Sequence, residues 1–184
     1  MSIITSPLPG TLRDPLYPDS DGKPMGETGF HVLAMVYVWQ ALRDCFAGRD
    51  DIYVATDMFL YYEKGNPRAC KGPDVMFIRG VSGNHERRSF RIWEEGVAPT
   101  VIFEMTSKGT RYEDEVEKPA VYARLGVPEY FIFDPEGEYL KPRLQGFRLT
   151  RKGYVRIKPD VEGRLVSKEL GMAVVAERYL PRLI

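Results

Sequence analysis

Two acids stand on runs of sequence that rarely carry one. Asp74 lies in Lys-Gly-Pro-Asp-Val-Met-Phe-Ile and Glu104 in Pro-Thr-Val-Ile-Phe-Glu-Met-Thr-Ser, both otherwise apolar and strand-like. Every second residue of such a strand points into a core, and an unpaired buried carboxylate is costly unless it is neutralised or finds a cation. Two of them on neighbouring strands suggest a divalent metal, and hard oxygen ligands suit Mg²⁺ or Mn²⁺. Such an ion offsets charge on a phosphate and makes a water nucleophilic near neutral pH, so phosphodiester hydrolysis is chemistry this pair fits. The plainer alternative is that each acid pairs with an arginine or caps a turn.

Other groups fall at spacings that bring them to the same place. Asp114 precedes Lys118 by four residues, the favoured order for an acid and a base on one helix face; the alternative is an exposed pair of little worth. Lys108 is nearer to Glu104 in sequence, but after Ser107 it falls in a turn and should face solvent. Glu27 and His31 are also four apart, at the start of a helix, where the imidazole could relay a proton or contact phosphate, or simply sit at the surface. Ser107 and Thr110 read as helix caps.

The elements that must position these residues follow from periodicity. Residues 1–28 hold five prolines with several Gly, Asp and Ser, and read as an irregular arm. From Gly29 to Ala47, Phe30, Leu33, Ala34, Tyr37, Ala41, Leu42 and Cys45 recur at helical spacing, and Gly48 closes the run. Residues 52–62, 73–79 and 100–106 read as strands, separated by Lys-Gly-Asn-Pro and by a long polar stretch from Gly80 to Pro99. After Thr110, acids crowd the start of a second helix that Gly126 ends. Pro119 is tolerated only in a first turn, so the regular helix begins near residues 115–118 or bends there. Residues 129–135 form an apolar strand, and 146–157 a hairpin turning at Lys152-Gly153. Tyr122, Tyr130 and Phe131 read as core, and Asp134 before Pro135 as a turn residue.

Composition bounds the rest. The 184 residues, 43% hydrophobic, suffice for one good core, and a single domain is expected over 29–184. Cys45 and Cys70 are too few for a disulfide framework and read as free thiols. The chain has neither a long apolar run nor a signal-peptide start, which suggests a cytoplasmic protein without a membrane segment. Net charge is zero but segregated: residues 64–91 hold seven Lys or Arg against two acids, and 141–184 hold eleven against four. Arg79, Arg87, Arg88 and Arg91 are the dense part of a tract able to neutralise backbone phosphates.

The strand order with Asp74 and Glu104 resembles the PD-(D/E)XK nuclease superfamily. More narrowly, Gly-Pro-Asp-Val, Glu-Met-Thr-Ser-Lys-Gly-Thr, Asp114 with Lys118, Tyr122, and the string Gly126 to Pro135 resemble the Uma2 family of restriction-type endonucleases. The resemblance spans roughly residues 25–175 and implies an α/β restriction-endonuclease-like core, a central mixed sheet flanked by helices in the order αβββαβ with extra C-terminal strands. It also implies that Asp74, Glu104 and the backbone carbonyl of Met105 hold Mg²⁺ or Mn²⁺, that DNA is the partner, and that no small organic cofactor is needed. Thr106 stands where the superfamily has its lysine. Lys118 then resembles a lysine migrated to the helix, with Lys108 the lesser choice. By analogy the chain works as a homodimer, with the apolar stretch Leu170 to Ile184 as interface. The alternative is a nuclease-fold binding module that no longer cuts.

Overall fold

The computed structural model describes residues 8–20, 22 and 26–184. The irregular arm expected over 1–28 is thus described only in part; residues 1–7, 21 and 23–25 lie outside the described residues. Helix α1 spans Gly29–Cys45, and the Thr28 hydroxyl caps it by accepting from the His31 N–H at 3.3 Å. It buries His31, Ala34, Val38 and Leu42. The buried face is rotated from the expected one, because Phe30 and Leu33 are exposed. Apolar residues occur on more than one face of this helix, so spacing alone did not select the docked side.

Strand β1 (Ile52–Thr56) stops where Asp57 adopts φ +47°, which breaks the single strand expected over 52–62. β2 (Leu60–Tyr61), β3 (Cys70–Lys71), β4 (Val75–Arg79), β5 (Phe90–Arg91) and the one-turn helix α2 (Ile92–Glu95) follow. The long polar stretch before β6 (Val101–Met105) therefore contains structure of its own. A π-helical segment, Glu113–Glu117, leads into α3 (Lys118–Arg124). Then come β7 (Glu129–Phe133), β8 (Leu144–Thr150), β9 (Gly153–Arg156), β10 (Leu165–Ser167), β11 (Met172–Glu177) and β12 (Leu180–Leu183).

The central sheet has the order β1-β4-β6-β7-β8-β9 and is mixed, since only β6 and β7 run parallel. Parallel neighbours need a crossover, and the π segment with α3 supplies it. Strand alternation divides the core into two layers. Val75, Phe77, Val101, Phe103, Met105, Phe131 and Phe133 pack with Ala34, Val38 and Leu42 of α1. Met76, Ile78, Ile102, Tyr130 and Ile132 pack on the other face with Tyr122 of α3. The result is a mixed α/β fold, a central sheet flanked by helices with extra strands in two small sheets, β3-β2-β5 and β10-β11-β12. Among the described residues no helix is long and apolar enough to cross a membrane.

One sequence-based expectation is narrowed here. Leu170 and Val174 are buried in the α1-side core and Leu183 packs against it, so much of the stretch proposed as a dimer interface is occupied within the chain. The arm is also anchored where it is described: Tyr17 is buried against the rings of Tyr61 and Trp93, and the Tyr61 hydroxyl donates to the Pro18 carbonyl at 2.7 Å.

Phe131 stacks on Phe103 with ring centroids 5.0 Å apart, and a Cβ on Gly146 of β8 would meet the Phe131 ring at 2.7 Å. Gly146→Ala is therefore expected to cost about 1–3 kcal/mol through overpacking, read from urea denaturation.

Candidate active site

The pairing of β4 with β6 explains why the two acids meet. Val75 faces Phe103, so one further residue along this antiparallel register sets Asp74 opposite Glu104. The Asp74 N–H donates to Glu104 Oε2 at 3.3 Å, and the Met105 N–H donates to Asp74 Oδ2 at 2.5 Å. Alternation also fixes the face: Val101, Phe103 and Met105 point to the α1 layer, so Glu104 points with Ile102 toward α3.

Glu104 is fully covered there. Its Oε2 accepts from Lys118 Nζ at 2.8 Å and its Oε1 from the Tyr122 hydroxyl at 2.7 Å. Lys118 Nζ also lies 2.9 Å from Asp114 Oδ1, and that carboxylate is itself 1% exposed. Asp114 and Lys118 thus form a buried pair at the i,i+4 spacing read from the sequence, and the exposed alternative is excluded. Burial raises the pKa of Glu104; Lys118 opposes that rise, and the nearby Asp74 and Asp114 reinforce it. Burial alone would lower Lys118, but Glu104, Asp114 and Asp74 more than offset it, and the amine is held cationic.

Pro119 gives a local reason for the π segment. It has no N–H for the Glu115 carbonyl, so the regular ladder is interrupted, and the Lys118 N–H instead reaches back five residues to the Glu113 carbonyl. α-Helical bonds from Arg111 to Ser107 and from Asp114 to Thr110 precede the π segment, and regular helix resumes at Lys118, so the helix is interrupted where the sequence predicts a start or a bend. Tyr130 on β7 braces this turn by donating to the Asp114 carbonyl at 2.6 Å.

Above Glu104 and Lys118 opens a cleft of about 560 Å³ whose lining includes Glu27, His31, Asp57, Asp74, Asp114 and Lys118. His31 bridges two acids across it, with Nε2 3.3 Å from Asp74 Oδ1 and Nδ1 3.3 Å from Glu27 Oε2. Burial alone would lower the His31 pKa, but Asp74 and Glu27 outweigh that and raise it. Among the described residues no three His, Cys, Asp or Glu side chains converge as a ready-made metal cluster. The donor chemistry nevertheless fits Mg²⁺, which is commonly held by one or two carboxylates and completes its shell with water. Asp74 and Met105 line the cleft, and Glu104 lies directly behind Asp74.

The remaining sequence candidates separate clearly. Lys108 is exposed, as the turn suggested, and does not line the cleft. Thr106, in the place of the superfamily lysine, is buried and its hydroxyl has no partner. The arginines require correction. Arg87 is buried, doubly bonded to Glu95 at 2.6 and 3.1 Å, and lies over the Tyr53 ring. Arg91 is buried against Asp14 and Glu94. Arg79 is half-buried, donates to the Glu169 carbonyl at 2.9 Å, and covers Phe46 and Phe77. These three guanidiniums are thus engaged within the chain; Arg88 is the exposed member of the four.

Two residues at the site escaped the sequence reading. Tyr122 is core, as its spacing indicated, but its hydroxyl completes the Glu104 environment. Asp57 lines the cleft, and burial, reinforced by the charge of Asp74, raises its pKa. The signal that singled out Asp74 was present here too, an acid interrupting Tyr-Val-Ala-Thr-Asp-Met-Phe-Leu-Tyr. Asp134 lies outside the site as a turn residue, accepting from the N–H groups of Glu136, Gly137, Tyr139 and Leu140.

Comparison with known proteins agrees with this architecture. A solved chain from Anabaena variabilis, described as a putative nuclease belonging to DUF820, superposes with a TM-score of 0.57. The overlap covers 83% of this chain and 81% of that one at 14% identity, a likeness that bears on the fold. No curated protein matches in sequence. The profile of the Uma2 family, described as "Putative restriction endonuclease", matches residues 13–178, a span containing α1, the Asp74–Glu104 strand pair, Lys118 and strands β7 to β11. The chain belongs to the Uma2 family.

Proposed function

We propose that this chain is a DNA endonuclease that hydrolyses phosphodiester bonds with Mg²⁺ or Mn²⁺ held by Asp74, Glu104 and the backbone carbonyl of Met105. The observation that carries this reading is the Lys118 amine, 2.8 Å from Glu104 and 2.9 Å from Asp114 at the floor of an acidic cleft. An ammonium beside a carboxylate pair is the group needed to orient an attacking water and to stabilise charge developing on a phosphate oxygen. The helix supplies it, which meets the difficulty posed by Thr106. When bound, the divalent ion would offset phosphate charge and lower the pKa of the attacking water.

The chain's own residues have distinct parts in this reaction. Asp114 keeps Lys118 turned toward Glu104, and Tyr122 fixes the orientation of the Glu104 carboxylate. His31 holds Asp74 Oδ1 from the α1 side, while the Met105 N–H holds Oδ2. Asp74 is fixed at both carboxylate oxygens, by α1 and by the backbone of β6, so its position does not depend on the ion.

Isothermal titration with Mn²⁺ and plasmid nicking test the assignment together. Wild type should bind and cut, Asp74→Ala and Glu104→Gln should lose both, and Lys118→Met should retain binding while cutting about 10²–10³-fold more slowly. Equal Mn²⁺ affinity in wild type and the Asp74→Ala/Glu104→Gln variant would refute the ligand assignment.

Removing the amine also strands two buried carboxylates. Lys118→Met is expected to lose about 3–5 kcal/mol of stability in urea denaturation, and adding Glu104→Gln should restore part of the loss because the neutral amide needs no counter-charge.

A further inference from the structure

The cleft presents a problem for its proposed substrate. Asp19, Glu27, Asp57, Asp74, Glu113 and Asp114 line it, against the Lys118 ammonium and the His31 imidazole. A polyanion approaching such a surface needs a cationic edge to hold it. With Arg79, Arg87 and Arg91 engaged in the fold, Arg88 is the exposed member of the dense arginine group at 79–91.

Arg88 donates to Asp19 Oδ2 at 2.9 Å, and both side chains are about two-fifths exposed, 43% and 39%. Asp19 comes from the N-terminal arm and lies where two depressions meet. It lines the acidic cleft, and it also lines a neighbouring pocket of about 270 Å³ with Arg13 and Arg88. The Arg88 hydrogen bond, with the charges of Arg88 and Arg13, depresses the Asp19 pKa. Asp19 is thus an internal anion facing two arginines at the border of the cleft.

We propose that Arg13 and Arg88 form a subsite for a backbone phosphate of the DNA strand entering the cleft, and that Asp19 occupies it until the phosphate displaces it. This rests on the nuclease reading of the cleft. Exposure separates this pair from the buried Arg87–Glu95 pair, and its place at the border of the cleft separates it from exposed pairs such as Arg182–Glu177. An exposed ion pair is worth little and exchanges readily, whereas opening Arg87–Glu95, whose side chains are 1% and 4% exposed, would strand a buried charge. A phosphate oxygen also matches the guanidinium as well as a carboxylate does. The buried Tyr17 anchors the arm segment two residues before Asp19, so the aspartate can swing out without release of the arm.

The test is fluorescence anisotropy of a labelled duplex with Ca²⁺ in place of Mg²⁺, so that binding is read without cutting. Asp19→Asn is expected to bind about three- to tenfold more tightly, and Arg88→Ala to bind more weakly with a salt slope shallower by about 0.9. The double variant should behave as Arg88→Ala does. Glu177→Gln frees an exposed arginine, Arg182, outside the cleft and should leave affinity unchanged. Unchanged or weaker binding by Asp19→Asn with an unaltered melting temperature would overturn the subsite, as would equal tightening by Glu177→Gln. Wild type that binds DNA in this pattern but never nicks plasmid would keep the subsite and remove the nuclease reading. Wild type that nicks while Asp19→Asn leaves affinity unchanged would do the reverse.

Discussion

The carboxylate of Glu104 has no access to water, and the rest of the site is arranged around that fact. A charge in that position must be met by cations and donors at close range. Strand parity turns it toward α3, where Lys118 and Tyr122 meet it from the same helix, one turn apart. Lys118 is shared with Asp114, so one ammonium faces two buried carboxylates, with Asp74 close by. The carboxylates of the cluster outnumber this ammonium, and the proposed metal site rests on that imbalance.

Burial separates the chain's ion pairs by role. Arg87 with Glu95 and Arg91 with Asp14 and Glu94 tie the arm, α2 and the segment before it together. Glu129 is anchored the same way in the sheet, accepting from Arg148 and Ser167. Pairs such as Arg88–Asp19 stand in solvent, where geometry is cheap to change. Similar residue types therefore serve as fixed struts in one place and as exchangeable contacts in another.

This distinction also marks where the sequence ceased to be informative. Asp74 and Glu104 were legible because an acid interrupts an apolar strand, and Lys118 because it follows Asp114 at helical spacing. The interruption of the helix before Lys118 was legible from Pro119. Whether Asp114 and Lys118 were buried was not, since the spacing is the same for a pair in solvent. The arginines misled for a related reason: Asp14 lies far from Arg91 in sequence, and no local pattern shows that the arm folds back to meet it. The docked face of α1 was obscured by an excess of apolar residues, and the break at Asp57 is a backbone conformation that a β-rich composition hides.

The position of the amine has a consequence during synthesis. With both carboxylates on strands and a lysine two residues after the glutamate, a growing chain would carry all its reactive groups once one hairpin had paired. Here the ammonium arrives on a helix that emerges later and reaches Glu104 only when the crossover has closed and β7 has paired with β6. An incomplete chain leaving the ribosome would hold the acids without the cation. In the proposed reaction, the crossover must therefore be in place before the acids have their cation.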